Sequence, residues 1–400
     1  MNDHAAPEIA HPSSGTAPVA NPPATALSIG SAFDSGAIEV VAAERSDDIR
    51  LRIRADSHAE FRQWFHIRLQ GAKSSACRIR LINAGECTYV GGWPGYRAVA
   101  SYDREHWFRV PTSYDGREMT IEHTPESDSV YYAYFEPYSW ERHLALIGRA
   151  SRSPRLQVRR LGATLEGRDM DVVIAGDPDA NRKPVWIIAR QHPGETMAEW
   201  FVDGLLARLA DEADPVARRL LEGAVLYIVP NMNPDGSVHG NLRTNASGAN
   251  LNREWLAPTP ARSPEVLCVR TAMEQSGVAA FLDVHGDEEL PYVFVDSCDR
   301  LPGFTADHAR RQRTFISAFK QASPDFQDVH GYGSSKATKV NLSLAAKYVG
   351  HTFGALSFTL ELPFKDNADL PDAGAGWSGA RSQRLGAAVL DALLAVLPDL

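Results

Sequence analysis

Val185-Trp186-Ile187-Ile188-Ala189-Arg190-Gln191-His192-Pro193-Gly194-Glu195-Thr196 runs five apolar residues into a Pro-Gly turn, and a helical period begins directly after it. An uninterrupted apolar run is the pattern of a strand buried on both faces, as in a parallel sheet covered by helices. Residues 196–209 then place Met197, Phe201, Leu205 and Leu209 on one helical face. A strand passing straight into a helix belongs to an α/β layer architecture. Ligands in such sheets gather at the carboxyl ends of the strands, so His192 and Glu195 stand where sites are built. Alone the pair is a weak sign, because a carboxylate at a helix start is also favoured by the helix dipole.

The same pattern recurs on either side. Apolar runs at 172–175, 225–229, 278–284 and 356–360 alternate with helical periods, and residues 382–397 close the chain as a helix. The run 278–284 ends in His285-Gly286, which brings a second imidazole to the same sheet edge. Two His and one Glu are a set that holds catalytic zinc and leaves its fourth position open to water. The run 356–360 ends in Glu361, and a carboxylate placed there either faces a polar cleft or carries a large desolvation cost.

Three polar segments lie between these strands: Asn231-Met232-Asn233-Pro234-Asp235-Gly236, Gly240-Asn241-Leu242-Arg243 and Gly248-Ala249-Asn250-Leu251-Asn252-Arg253. Their Asn, Gly and Pro content reads first as turn chemistry. Arginine is also the side chain suited to bidentate carboxylate recognition, which an enzyme acting at a free chain end requires. No Gly-rich phosphate loop and no internal repeat is present, so a nucleotide site has little support.

Upstream, residues 32–137 show short alternations such as Ile49-Arg50-Leu51-Arg52-Ile53, Trp64-Phe65-His66-Ile67-Arg68-Leu69 and Cys77-Arg78-Ile79-Arg80-Leu81, spaced as in a β-sandwich. Residues 1–31 begin with an Ala, Pro, Ser and Thr-rich stretch that lacks an apolar period and reads as a disordered tail. The 400 residues exceed the usual ~100–200 of one domain, so more than one is expected. A net charge of -9 disfavours nonspecific binding to nucleic acid or to an anionic membrane. No apolar run approaches the ~18 residues of a membrane span, and the first basic residue is Arg45, so no secretory leader is read and a cytoplasmic location is expected. Cys77, Cys87, Cys268 and Cys298 form no C-x-x-C pair and read as reduced, buried thiols.

Taken in order, His192-Pro193-Gly194-Glu195, Asn233-Pro234-Asp235-Gly236, Gly240-Asn241-Leu242-Arg243, Asn250-Leu251-Asn252-Arg253, Asp283-Val284-His285-Gly286 and Thr359-Leu360-Glu361 resemble the motif series of M14 zinc metallocarboxypeptidases. Within that class the chain is most similar to the cytosolic carboxypeptidase branch, which carries a β-sandwich-like domain ahead of the catalytic one. The aromatic junction from Tyr131 to Tyr138 falls between the two parts. The resemblance implies an α/β carboxypeptidase-like mixed sheet flanked by helices over residues 138–400, preceded by the small β-sandwich-like domain at 32–137.

It further implies one Zn2+ per chain on His192, Glu195 and His285, Glu361 as general base, and Arg243 polarising the scissile carbonyl. Asn252 and Arg253 would clamp the C-terminal carboxylate of a peptide or protein substrate. The cytosolic branch's association with glutamate removal implies an acidic preference, and Lys339 is the first choice for the matching cation, ahead of Lys336 and Lys347. Two positions depart from the family. Asn250 stands where the pancreatic-type branch has an aspartate that orients a zinc histidine, so support of that histidine is expected to differ. No tyrosine aligns with the family's mobile substrate tyrosine, and Tyr348, the nearest, reads as a packing residue. The competing enzyme is a zinc amidohydrolase of the aspartoacylase or succinylglutamate desuccinylase type, but those proteins carry their β domain after the catalytic core. A binding module that has lost catalysis is the third reading. Whether the chain forms a homo-oligomer is left open by the sequence.

Overall fold

The structure, a computed structural model, describes residues 27–332 and 340–400. Ten strands come first: β1 (Ser28–Gly30), β2 (Glu39–Ala42), β3 (Ile49–Arg52), β4 (His66–Gln70), β5 (Cys77–Leu81), β6 (Val99–Ser101), β7 (Phe108–Arg109), β8 (Thr112–Tyr114), β9 (Met119–His123) and β10 (Ser129–Ala133). They form two five-stranded sheets, β1-β4-β10-β6-β7 and β2-β3-β5-β9-β8. Because strand side chains alternate between faces, β3 buries Ile49 and Leu51 but exposes Arg50, and β5 buries Cys77, Ile79 and Leu81. These residues share one core with Ile67 and Leu69 of the other sheet.

Of the expected tail, residues 1–26 lie outside the described residues, but its last part is a strand. Ser28, Ile29 and Gly30 pair with Gln70, Leu69 and Arg68 of β4, and Ile29 packs on the core, which supplies the partner that local composition did not reveal.

The second part runs α1 (Trp140–Ser151), β11 (Leu156–Ala163), β12 (Asp169–Ala175), β13 (Lys183–Ala189), α2 (Met197–Ala210), α3 (Pro215–Gly223), β14 (Ala224–Val229), α4 (Pro234–His239), α5 (Pro264–Ser276), β15 (Ala280–Asp287), β16 (Phe294–Ser297), α6 (Ala306–Ala322), α7 (Ala345–Phe353), β17 (Leu356–Pro363) and α8 (Gly379–Val396). Its sheet has the order β11-β12-β14-β13-β15-β17-β16, parallel from β14 to β17 and antiparallel at both margins. It is therefore a mixed α/β sheet.

Helices cover both faces. Phe201 and Leu205 of α2, Leu385 and Val389 of α8 and Phe315 and Phe319 of α6 share one cluster, while α5 and α7 fill a second with Trp186, Ile188 and Phe281. Helices α2 and α8 approach closely because Gly204 and Gly386 carry no Cβ, which would collide with the carbonyls of Gln383 and Phe201. The first cluster runs without a break into the sandwich core. Tyr134 stacks on Phe364 at 4.5 Å, and the buried Arg109 donates to the carbonyls of Phe364 and Trp377. Among the described residues no helix is long and apolar enough to cross a membrane.

Candidate active site

Strands β15 and β17 are longer than their apolar runs suggest. His285 and Glu361 lie inside them, as register partners on adjacent parallel strands. The neighbouring β13 stops at Ala189, and Arg190 takes a left-handed φ of 60° that starts the turn to α2. That conformation is sparsely populated for a residue with a Cβ and persists where surroundings fix it. Here they do: the buried Arg190 donates to Pro193 O at 2.9 Å, to Tyr138 O at 2.8 Å and to Glu199 Oε2 at 2.8 Å. Gly194 closes the turn on Leu242, donating to its carbonyl at 2.9 Å.

The turn delivers His192 and Glu195 to His285. Candidate ligand atoms of the three, all buried, lie within 4.8 Å of one another. Glu195 Oε1 is 2.6 Å from His192 Nδ1, Glu195 Oε2 is 2.7 Å from His285 Nδ1, and the two Nδ1 atoms are 3.2 Å apart. The outer nitrogens have acceptors of their own, Asn250 Oδ1 at 3.1 Å for His192 Nε2 and Asp283 Oδ2 at 2.9 Å for His285 Nε2. Those acceptors are placed to take the Nε2 protons, the tautomer in which both Nδ1 lone pairs are free to bind a metal. Two imidazole nitrogens and a carboxylate thus converge on one point, where a proton or a cation must offset the carboxylate charge. These nitrogen and oxygen donors suit zinc.

The supporting groups are themselves held. Gln191 donates to Asp283 at 2.8 Å and accepts from the indole of Trp255 at 2.8 Å. Glu195 is held well below the usual carboxylate range, the two imidazoles outweighing the upward push of burial.

Glu361 faces the same cavity of about 590 Å³. Burial pushes its carboxyl up to about 8, against the opposing pull of His285. Its Oε1 lies 3.0 Å from the hydroxyl of Tyr332, and its buried Oε2 has no hydrogen-bond partner among the described residues. Arg243, Asn252 and Arg253 also line the cavity. Asn252 caps α7, its Oδ1 accepting from Ala345 N at 2.8 Å, and Arg253 donates to the Asn252 carbonyl at 2.7 Å. The Arg243 guanidinium lies over the rings of Phe61 and Tyr89, 5.7 and 5.5 Å from their centroids. Among the described residues neither guanidinium has a carboxylate partner, so donors remain for an incoming anion.

Lys336 and Lys339 lie outside the described residues. Lys347 is paired with Asp296 at 3.0 Å, and Asp296 rather than Lys347 lines the cavity. Tyr348 packs on Trp255 and Arg270, away from the cavity. Sequence reasoning missed Tyr332, whose hydroxyl sits between Glu361 and Asp287 Oδ2, the latter at 2.8 Å. It also missed Glu288, a buried cavity carboxyl that burial, with the nearby Glu195 charge, raises well above its ordinary value. Tyr332 follows Gly331 in a loop with no periodicity, and nothing in the sequence ties it to Glu361.

Residues 29–135 match the family model described as the cytosolic carboxypeptidase N-terminal domain, and residues 145–374 match that of zinc carboxypeptidase. The crystal structure of a metallo-carboxypeptidase from Burkholderia cenocepacia is 58% identical, covering 93% of this chain and 99% of its own, with a TM-score of 0.91. A metallo-carboxypeptidase from Pseudomonas aeruginosa, solved in complex with (2-guanidinoethylmercapto)succinic acid, is 47% identical over 93% of this chain and 99% of its own, with a TM-score of 0.90. Human cytosolic carboxypeptidase 1 is 28% identical over 322 residues, spanning 68% of this chain and 26% of the human protein.

Proposed function

The chain belongs to the M14 zinc carboxypeptidase family and is a metallocarboxypeptidase, and from that premise we propose that it removes C-terminal residues from peptides or proteins with one zinc ion per chain and Glu361 as general base. The observation that carries this reading is the convergence of the two Nδ1 atoms and the Glu195 carboxylate beside the register-paired Glu361.

His192, Glu195 and His285 would hold the ion. Zinc there supplies Lewis acidity, which acidifies water and polarises a carbonyl. Glu361 takes a proton at Oε2, the oxygen with no hydrogen-bond partner among the described residues, and returns it to the leaving amine. A base whose pKa is raised towards neutrality is well matched to both transfers, and a divalent cation nearby would pull the value of about 8 back down. Tyr332 holds Oε1 and so fixes the orientation of the carboxylate. Arg243 faces the developing oxyanion, while Arg253 with Asn252 receives the terminal carboxylate. The order of domains, β part first, does not favour the amidohydrolase alternative.

The test is Glu361→Gln, which keeps shape but cannot accept a proton. It should retain zinc and substrate affinity while kcat falls by about 10²–10⁴-fold. A variant keeping more than about a tenth of wild-type kcat would remove Glu361 from the role.

We also read a preference for an acidic C-terminal residue, with Lys339 as the cation, because a buried glutamate side chain needs a charged partner. Comparing kcat/KM for peptides ending in Glu, Lys and Leu, in wild type and Lys339→Ala, tests it. A wild type favouring Leu, or an unchanged Glu preference in the variant, would remove that assignment alone. Action in the cytoplasm is part of the same reading, supported by four cysteines that are all free thiols.

A further inference from the structure

The segment that carries Arg243 is fixed from outside its own sheet. Asp56, in the loop after β3, is 7% exposed and sends its carboxylate across the domain boundary. Oδ1 accepts from Leu242 N at 2.6 Å, and Oδ2 accepts from Arg243 N at 2.7 Å, Thr244 N at 2.9 Å and Thr244 Oγ1 at 3.0 Å. Three successive backbone N–H groups aimed at one anion form a nest, and here the anion comes from the other domain. Each bond is charge-assisted, and removal of the acceptor would strand donors of which two belong to fully buried residues.

The same loop supplies the ring beside the guanidinium. Asp56 N donates to Phe61 O at 2.8 Å, closing a turn that sets Phe61 5.7 Å from the Arg243 guanidinium. The second ring, Tyr89 at 5.5 Å, is clamped through its backbone by the Gln63 amide, with bonds of 3.0 and 3.1 Å. The loop's ends approach the sandwich domain closely. A Cβ on Gly240 would lie 2.6 Å from Ser35 O, and one on Gly248 would collide with the carbonyl of His58.

We propose that Asp56, with Phe61 and Tyr89, is a positioning device for Arg243, so that the N-terminal sandwich domain completes the catalytic site rather than merely adjoining it. The inference rests on the reading of Arg243 as the oxyanion-stabilising group. Asp56 touches no reacting atom; it holds the backbone from which the guanidinium projects. Loss of the device therefore displaces a group needed in the transition state, and zinc content reports whether the turn at Gly194, which donates to the Leu242 carbonyl, moves with it.

The experiment uses the full-length, zinc-loaded protein and four variants: Arg243→Ala, Asp56→Asn, Phe61→Leu and the double Asp56→Asn/Arg243→Ala. Zinc content, thermal stability, kcat and KM on a free-carboxylate peptide are measured. Affinities for a phosphonate transition-state analogue and for (2-guanidinoethylmercapto)succinic acid are measured beside them. Asp56→Asn keeps the size of the side chain but replaces one acceptor by a donor. Its kcat should fall by roughly 10–10²-fold with KM nearly unchanged. Phosphonate binding should weaken by a similar factor while succinate binding holds. The double variant should be no slower than Arg243→Ala, because two groups acting as a unit are not additive.

Full turnover in Arg243→Ala would remove the oxyanion reading itself. An impaired Arg243→Ala beside an unimpaired Asp56→Asn, or losses that multiply in the double variant, would overturn the positioning role alone. Equal weakening of phosphonate and succinate would do the same, since general loosening of the site moves both. If Asp56→Asn does not fold, Phe61→Leu takes its place in the cycle with Arg243→Ala, and strictly additive losses there reject the proposal.

Discussion

His192, Glu195, His285 and Glu361 come from two strands of the central sheet and the turn that leaves a third, whereas Arg243, Asn252 and Arg253 come from an irregular segment between α4 and α5. The first group is fixed by ladder hydrogen bonds and by the polar residues Asp283, Gln191 and Arg190. The second takes its fixed points from elsewhere, Asp56 and Phe61 in the sandwich domain and the start of α7. Groups that handle the metal and the proton must hold their geometry within fractions of an ångström through every turnover, and strands supply that. A segment that grips substrate is free to be built from loops on a rigid scaffold. The division predicts that loss of His192, Glu195 or His285 on the strand side removes the metal, while damage to the loop side leaves it bound and impairs turnover.

The largest effect is expected from His285→Ala. Two remaining ligands cannot hold the ion, so the protein should emerge from dialysis against a mild chelator without zinc, and affinity should fall by orders of magnitude. Elemental analysis after dialysis measures it, and stoichiometric zinc in the variant would break the comparison at its firmest point.

Arg253→Ala is the counterpart on the loop side. Zinc should be retained, while kcat/KM on a free-carboxylate peptide falls by a factor equivalent to about 2–5 kcal/mol, the range for losing a partner of a desolvated charge. Amidation of the substrate should cost the wild type a similar amount and the variant almost nothing. Equal hydrolysis of amidated and free peptides by the wild type would reject the clamp and point to an endopeptidase.

Asn250 sharpens the comparison because it crosses the division. It belongs to the loop segment, yet its side chain receives His192 Nε2 at 3.1 Å. A neutral amide stands where the pancreatic-type branch carries an aspartate, so it selects the tautomer without adding charge. Asn250→Ala should weaken zinc by about 10–10²-fold, between the two classes above. Competition with a chromogenic chelator resolves a change of that size, and an unchanged affinity would leave the tautomer without its assigned cause.

These residues also mark how far the sequence could be read. That His192, Glu195, His285 and Glu361 share one edge of the sheet was legible because buried strands announce themselves as apolar runs whose carboxyl ends lie together. The strand limits were less so: β15 and β17 continue through His285 and Glu361, since a polar residue inside a strand looks like its end. Asp56 and Tyr332 were invisible. Asp56 acts 186 residues from Leu242, and Tyr332 lies 29 residues before Glu361 in a loop without periodicity, so neither contact leaves a local pattern. Strand β1 escaped for a related reason, its partner β4 being distant in sequence.

The smallest expected effect lies behind the metal turn, where Arg190 and Glu199 meet His143. Nδ1 of this buried imidazole is 2.6 Å from Glu199 Oε1, and the ring stacks on Trp140 at 4.6 Å. Burial alone would lower its pKa, but Glu199, with Asp171 beyond it, outweighs burial and raises it to about 9. The unfolded value is about 6.5, so protonated His143 stabilises the fold fully below that pH, and the contribution is lost as pH rises through 9. Because Glu199 also accepts from Arg190, which pins the carbonyl of Pro193, this loss loosens the strand side from the rear without touching a ligand. Thermal unfolding of wild type and His143→Asn at pH 6 and pH 10 isolates the term, since other groups titrate alike in both. The wild type should lose more stability over that interval than the variant. Identical losses would mean that His143 is neutral throughout and that Arg190 alone compensates the charge of Glu199.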